Sequence, residues 1–298
     1  MHDTLQKIGF IGAGKVGWSL GRYISERGGP DYTVCGYYSR DIGTARGAAA
    51  FAGGRAFDTA AGLAAECDLL LLTVPDGQIA AVWSELSAAL PHDRETPLCV
   101  GHCSGCLSAE IFVEKPAGCS FGSMHPLLSV HDRETSYKNF AGAYFTIEGD
   151  EAFIDFAKEL LTALDNSCCT IEAEHKTLYH AASVMVSNLV CALAFTGTET
   201  YKKCGLDGEF AGMAWRSLFL GNAKNIAEAG PVRALTGPVE RGDTATIANH
   251  LEKLSGDERD IYLLLSRKLI ETAREKNPDR DYSELALLLG AAEGIGEN

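Results

Sequence analysis

Along the first half of the chain, short apolar runs alternate with stretches of helical period. Lys7-Ile8-Gly9-Phe10-Ile11 reads as a buried strand, followed by a glycine turn and a helix from Val16 to about Arg27. Tyr32 to Tyr38 is the next strand, and the alanine-rich run Thr44 to Ala52 is helical. Asp68 to Val74 is apolar on both faces, as a central parallel strand should be. Pro75 and Asp76 end it and open a helix to Leu90, with Asp76 read as the cap of that helix. Further strands end near Gly101, cover Phe121 to Met124 and run from Tyr144 to Glu148. A helix from Glu151 to Leu164 and a strand from Cys168 to Glu172 complete the series.

After His175 only helical periods remain, at about 175–204, 209–229, 243–254, 257–276 and 281–291. Gly205, Gly230-Pro231, Gly237-Pro238, Gly256 and Pro278 mark the breaks. The pattern predicts an α/β Rossmann fold, a doubly wound and mostly parallel sheet, over residues 1–173. An all-helical domain is expected over 174–298.

Composition adds exclusions. The chain has 298 residues, enough for two cores, with 46% hydrophobic and 22% charged residues. No apolar run approaches the roughly 20 residues of a membrane span, and the start, Met1 to Lys7, lacks the layout of a signal peptide. The expectation is a cytoplasmic protein without a membrane partner. A formal net charge of −14 argues against nucleic acid but leaves room for an anionic small ligand. The ten cysteines read as reduced thiols. Cys103 and Cys106 form a C-x-x-C near several histidines, open to a metal or thiol-redox reading. A structural zinc site usually has a second pair, so incidental half-buried cysteines are preferred and no metal is expected. The vicinal Cys168-Cys169 reads as small strand residues.

Gly12-Ala13-Gly14-Lys15-Val16-Gly17 is a G-x-G-x-x-G placed after a strand and before a helix. Gly12 permits the tight turn, Gly14 the approach of a pyrophosphate, and Gly17 close helix–strand packing. The free N–H groups and dipole of the helix start face the diphosphate. An NAD site expects an acidic residue at the end of the second strand. Here Ser39 and Arg40 stand there, suited to the 2′-phosphate of NADP, so NADP is expected over NAD. Asp41 lies beyond that point, and Arg46 could add charge. Val74 and Pro75, at the ligand edge of the sheet, and His102 and Ser104, after the next strand, complete the expected cofactor contacts.

On a helical wheel at about 100° per residue, Lys176, His180, Ser183 and Ser187 fall within roughly 60° of one another. Leu178, Ala182, Met185, Leu189 and Leu193 occupy the opposite side. A polar stripe of an amine, an imidazole and two hydroxyls on an otherwise apolar helix is expected to line a wet cleft. His180 would supply a proton and Lys176 a charge. Ser104 and His125 follow strands toward the same place, and His125 is equally well read as an interior residue.

Together these features resemble the uncharacterised NADP-oxidoreductase-like proteins that join a Rossmann domain to a helical domain of unknown function. More distantly they resemble pyrroline-5-carboxylate reductases and the 3-hydroxyisobutyrate and 6-phosphogluconate dehydrogenases. The marks are the Gly12 fingerprint, Val74-Pro75-Asp76, His102-Cys103-Ser104-Gly105, His125-Pro126-Leu127, Lys176 with Tyr179-His180, Ser187-Asn188, and Leu235-Thr236-Gly237-Pro238 with Arg241-Gly242-Asp243. The resemblance implies a catalytic role for Lys176, with His180 where the hydroxyacid dehydrogenases have asparagine, and adds Ser187 and Asn188. It also implies that the Thr236–Pro238 loop, with Arg241, holds a substrate carboxylate. Arg241 paired to Asp243, with Asp243 capping the next helix, is the alternative.

The expected activity is NADP(H)-dependent reduction of a C=O or C=N group on a small, carboxylated molecule. A non-catalytic NADP(H) sensor is the rival. The apolar runs Leu218-Phe219-Leu220 and Ile261 to Leu265 suggest a homodimer through the helical domain. The resemblance implies that the Arg241 loop then completes the partner's site.

Overall fold

In the computed structural model, which describes residues 5–91 and 96–291, the first strand sits where the chain changes direction across the sheet. β1 (Gln6–Ile11) pairs in parallel with β2 (Tyr32–Tyr38) on one side and with β4 (Leu69–Leu72) on the other. The strand order is β3-β2-β1-β4-β5-β6-β7-β8. β3 is Arg55–Ala56, β5 Leu98–His102, β6 Cys119–Pro126, β7 Phe145–Gly149 and β8 Cys168–Thr170. The chain therefore builds outward through β2 and β3, then crosses back beside β1 at β4. Ligands of open α/β sheets bind at such a switch point. The fold is the mostly parallel Rossmann type that the apolar pattern predicts, with β7 antiparallel to β6.

The four leucines of β4 are fully buried, as a strand covered on both faces requires. The covering helices are α1 (Lys15–Arg27), α2 (Ile42–Ala52), the short α3 (Ala60–Ala64), α4 (Asp76–Ser87) and α5 (Glu151–Ala163). Asp41 caps α2 by accepting from the backbone N–H groups of Gly43 and Thr44. Pro75, not Asp76, is the N-cap residue of α4, so Asp76 stands inside the helix with its carboxylate free for another task. β3 and α3 have no counterpart in the pattern because each is too short to show a period.

The chain divides into two compact units, Met1–Asn188 and Leu189–Asn298. The division falls after α6 (Lys176–Val186) rather than at residue 173, because side chains of α6 bond to the sheet. The helix expected at 175–204 is broken. Ser187 has non-helical angles (φ −126°, ψ −80°), and α7 (Asn188–Lys203) follows. Ser183 and Ser187 each donate to the carbonyl four residues back, competition of a kind that bends helices. The expectation of no membrane-length apolar segment also needs correction. Ala173–Lys203 is long and apolar enough to cross a membrane by length and composition alone, with a window of mean hydropathy 1.6. Its apolar side is exposed in the single chain: Leu178 is 74% and Met185 64% accessible, whereas Lys176 is buried.

The second unit contains α8 (Gly208–Met213), α9 (Arg216–Ala234), α10 (Pro238–Arg241), α11 (Thr244–Lys253), α12 (Gly256–Lys276) and α13 (Ser283–Leu289). The single helix expected at 209–229 is two, and α9 is interrupted at Gly230 (φ 80°), where the sequence places a break. Its core gathers Ile247, Ile270, Ala273, Tyr282 and Leu285 from α11 to α13. By contrast α7 buries no residue and α9 only Ala234.

Candidate functional site

A cleft of about 560 Å³ opens at the β1/β4 switch point. Of the predicted cofactor residues, Gly12, Ala13, Gly14, Ser39, Arg40, Val74 and Pro75 line it. The three glycines do separable work. Gly12 has φ +97° and would drive a Cβ to 2.8 Å from Val74. A Cβ on Gly17 would lie 2.4 Å from the Thr73 hydroxyl and 2.5 Å from the Gly12 carbonyl, so Gly17 serves packing. A Cβ on Gly14 would meet nothing closer than the Thr73 carbonyl at 3.8 Å. The space in front of Gly14 is therefore kept open by no demand of the fold, and it lies at the start of α1, where no side chain caps the helix. Such an open cradle fits a dinucleotide diphosphate.

Ser39 and Arg40 follow β2 at the far end of the cleft, where Arg40 Nη2 donates to Gln78 Oε1 at 3.4 Å. The Asp41 carboxylate is occupied in capping α2, and its hydrogen bonds from Thr44 hold it below the usual carboxylate range. Lys15, Val16 and Gly17 enter α1 and are not among the walls, and Arg46 is exposed on α2.

A second group of polar residues begins one residue beyond Pro75. Asp76 Oδ2 accepts from Ser104 Oγ at 2.7 Å. Ser104 Oγ also accepts from the backbone of Cys106 and Leu107, which shapes the turn after β5. The Ser104 carbonyl accepts from Lys176 Nζ at 3.2 Å, and the same ammonium donates to Ser123 Oγ at 2.6 Å. Ser123 in turn donates to Glu148 Oε2 at 3.1 Å, and Glu148 accepts the backbone N–H of Ala109. Lys176 is 1%, Ser123 0% and Glu148 6% exposed. Burial holds the lysine below its ordinary pKa, opposed first by the Glu148 charge. This is a buried cation and anion linked through one hydroxyl, with most lone pairs and protons satisfied.

Beside it, the rings of His125 and His180 close over Gly105, where a Cβ would lie 2.8 Å from each. Thr146 Oγ1 donates to Tyr179 Oη at 2.7 Å, so the phenol hydrogen goes to His125 Nδ1, also at 2.7 Å. His125 then carries its hydrogen on Nε2, facing Gly105. Burial, helped by the Lys176 charge, lowers His125 to about 4, which keeps it neutral near pH 7. His180 is half-buried at the same place.

Other predicted residues lie differently. His102 is fully buried, accepting from the Ser104 backbone on Nδ1 and donating to the Ser108 carbonyl through Nε2, and burial lowers it to about 4. Both nitrogens are engaged, so it shapes the turn. Ser187 and Asn188 are exposed and bond to each other at 3.1 Å. Arg241 sits 4.0 Å from Asp243, which caps α11 by accepting from Thr246, as in the structural alternative. Burial pushes the Cys103 thiol up to about 12, and Cys106 contacts Thr177. Ser123, Glu148, Thr146 and Gln78 escaped the sequence reading, as did the tie from Asp76 to Ser104. One signal existed: Glu148 is the one charged residue of its short strand.

Two family models match the chain. Residues 7–94 match NADP oxidoreductase coenzyme F420-dependent proteins. Residues 143–269 match a domain of unknown function, DUF2520. No curated protein matches. Among solved structures, a protein from Thermotoga maritima is 28% identical with a TM-score of 0.70, covering 90% of this chain and 99% of its own. A proposed NADP oxidoreductase from Bacteroides fragilis is 22% identical with a TM-score of 0.68, over 90% and 98%. The Plasmodium falciparum pyrroline carboxylate reductase, solved with NADP bound, is 14% identical with a TM-score of 0.57, over 91% and 96%. The resemblance to uncharacterised NADP-oxidoreductase-like proteins holds in both halves, and with the pyrroline-5-carboxylate reductases the chain shares the fold.

Proposed function

We propose that this chain, built like the NADP-oxidoreductase-like proteins, binds NADP(H) in the β1/β4 cleft and reduces a C=O or C=N group of a small, carboxylated molecule. One observation carries the reading. The cleft wall at Pro75 runs directly into Asp76, and Asp76 through Ser104 leads to Lys176. The candidate cofactor cradle and the candidate proton-handling residues thus share one continuous support.

Gly12 to Gly14 and the start of α1 would hold the diphosphate, and Ser39 with Arg40 the 2′-phosphate. When bound, NADPH supplies the hydride. His180 would deliver the proton that the reduced product requires, since it is the histidine of the group left half-buried and unbonded among the described hydrogen bonds. Neutral His125 would offer its Nε2–H as a fixed donor to developing negative charge. The buried Lys176 adds a positive potential without itself being free to move.

A homodimer through the helical unit follows from the same reading. The exposed apolar side of α6 and α7, including Met185, Val186 and Phe195, and Leu218 and Leu220 of α9 lack cover in one chain. A second copy would cover them by a symmetric contact. Lipid is the less suited occupant, because the first turns of α6 are bonded to the sheet through Lys176 and Tyr179. The Arg241 side chain, 60% exposed, would then grip the carboxylate in the partner's site.

The test follows NADPH absorbance with a panel of 2-oxo acids and cyclic imino acids. Turnover of any of them, reduced at least tenfold in His180→Ala at unchanged NADPH affinity, supports the proposal. Tight NADPH binding with no turnover on the panel would favour a sensor that reports cofactor occupancy.

A further inference from the structure

Away from the cleft, two thiols meet over the first strand. The pairing of β1 with β2 slips by one residue: Ile8 lies opposite Val34, but Gly9 lies opposite Gly36. Cys35 is the extra residue of this bulge, and bulges re-aim side chains. On the other flank of β1, the turn before β4 places Cys67 Sγ over Gly9, where a Cβ would stand only 2.3 Å from the sulfur. A bulge on one neighbour and a missing side chain on β1 together bring Cys35 Sγ to 3.1 Å from Cys67 Sγ. A bond of about 2.05 Å needs the sulfurs to close by roughly 1 Å.

We propose that Cys35 and Cys67 are a reversible dithiol–disulfide site, oxidised by small hydroperoxides. Cys35, the more accessible of the two, is the sulfur oxidised first. Its thiolate attacks the terminal oxygen of the peroxide, the S–O bond forms as the O–O bond breaks, and the alkoxide leaves as the alcohol with the proton that Cys35 gave up, so that a sulfenic acid remains. Cys67 sulfur then attacks the sulfenic sulfur, the S–S bond forms, and water leaves with the Cys67 proton. Overall two thiols and one hydroperoxide give one disulfide, one alcohol and one water. A reducing dithiol returns two hydrogens and restores the pair. Geometry carries this assignment, and the hydrogen bond between the two sulfurs supports it by holding the Cys35 thiol below its ordinary value. The disulfide would tether β2 to the turn before β4 across β1, closing a loop in the unfolded chain and raising the thermal midpoint.

The proposal is independent of the oxidoreductase reading, because its test needs no substrate. The full chain is treated with tert-butyl hydroperoxide, alkylated, digested and mapped by mass spectrometry without reductant. The expected result is a peptide pair linked through Cys35 and Cys67, released by dithiothreitol, with a higher melting temperature for the oxidised protein. The link is absent in Cys35→Ser and retained in Cys106→Ser, each melted in reduced form to verify folding. Alkylation of both Cys35 and Cys67 after peroxide has oxidised exposed Cys169 would overturn the proposal. So would a sulfinic acid at Cys35 with no link to Cys67.

Discussion

Lys176 Nζ lies 2.6 Å from Ser123 Oγ, so that a lysine at the start of a helix ends in the interior of the sheet. The hydroxyl passes the contact on to Glu148, and the pair forms a cation–anion couple with almost no access to water.

Removing either charge should strand the other in a low-dielectric site. Lys176→Met and Glu148→Gln are each expected to lower stability by on the order of 3–5 kcal/mol. The double variant should lose much less than the sum, since no buried charge is left alone. Urea unfolding of the four proteins measures this. Additive losses would mean that the two residues are not coupled through Ser123.

The glycine fingerprint yields a sharper pair of expectations. Gly14→Ala should keep the melting temperature within a few degrees, because the new methyl meets only ordinary contacts, yet weaken dinucleotide binding at least tenfold. Gly17→Ala should destabilise the protein itself by pressing on Thr73 and Gly12. Thermal melting and a fluorescence titration of NADPH separate the two effects. Unimpaired binding by Gly14→Ala would show that the space before Gly14 is not the diphosphate cradle.

These distinctions mark where the sequence is informative. Strand–turn–helix order, the fingerprint and the Ser39-Arg40 pair depend on local spacing, and local spacing is what a sequence displays. Lys176 and His180 were visible because a single helix face carries both. Ser123, Thr146 and Glu148 were not, since they lie on two other strands and their role arises only when antiparallel β6 and β7 bring them opposite α6. The expectation that Lys176 lines a wet cleft also met a difference, because its side chain is 1% exposed. The buried amine found satisfaction in the sheet, and the leucines were left outward. Asp76 shows the same limit, because a carboxylate at a helix start reads as a cap until its partner across the chain is known.

Acid should weaken the fold through two histidines. His102 and His125 are each held near 4, against about 6.5 in an unfolded chain, chiefly by burial. Between those values the unfolded chain binds more protons, so stability falls as pH drops from about 6.5 to 4. Each histidine should contribute up to about 1.4 kcal/mol per pH unit within that window. Unfolding free energy measured across the window should fall less steeply in His125→Asn. An unchanged slope would mean that His125 titrates normally in the folded protein.

Assembly should show in solution as a dimer by light scattering at micromolar protein. If the Arg241 loop serves the partner's site, mixing inactive His180→Ala and Arg241→Ala proteins should restore part of the activity. A monomer would refute the pairing. A dimer without recovery would remove Arg241 from the shared site.

The central claim is that the β1/β4 cleft takes NADP(H) through Gly12–Gly14 and Arg40. Its most direct test is a calorimetric titration of the purified protein with NADPH and NADH, repeated with Arg40→Ala. The account predicts tighter binding of NADPH, a loss of about tenfold to a hundredfold for NADPH in the variant, and little change for NADH. Equal affinity for both cofactors in the native protein, or an equal loss for both in the variant, would contradict it.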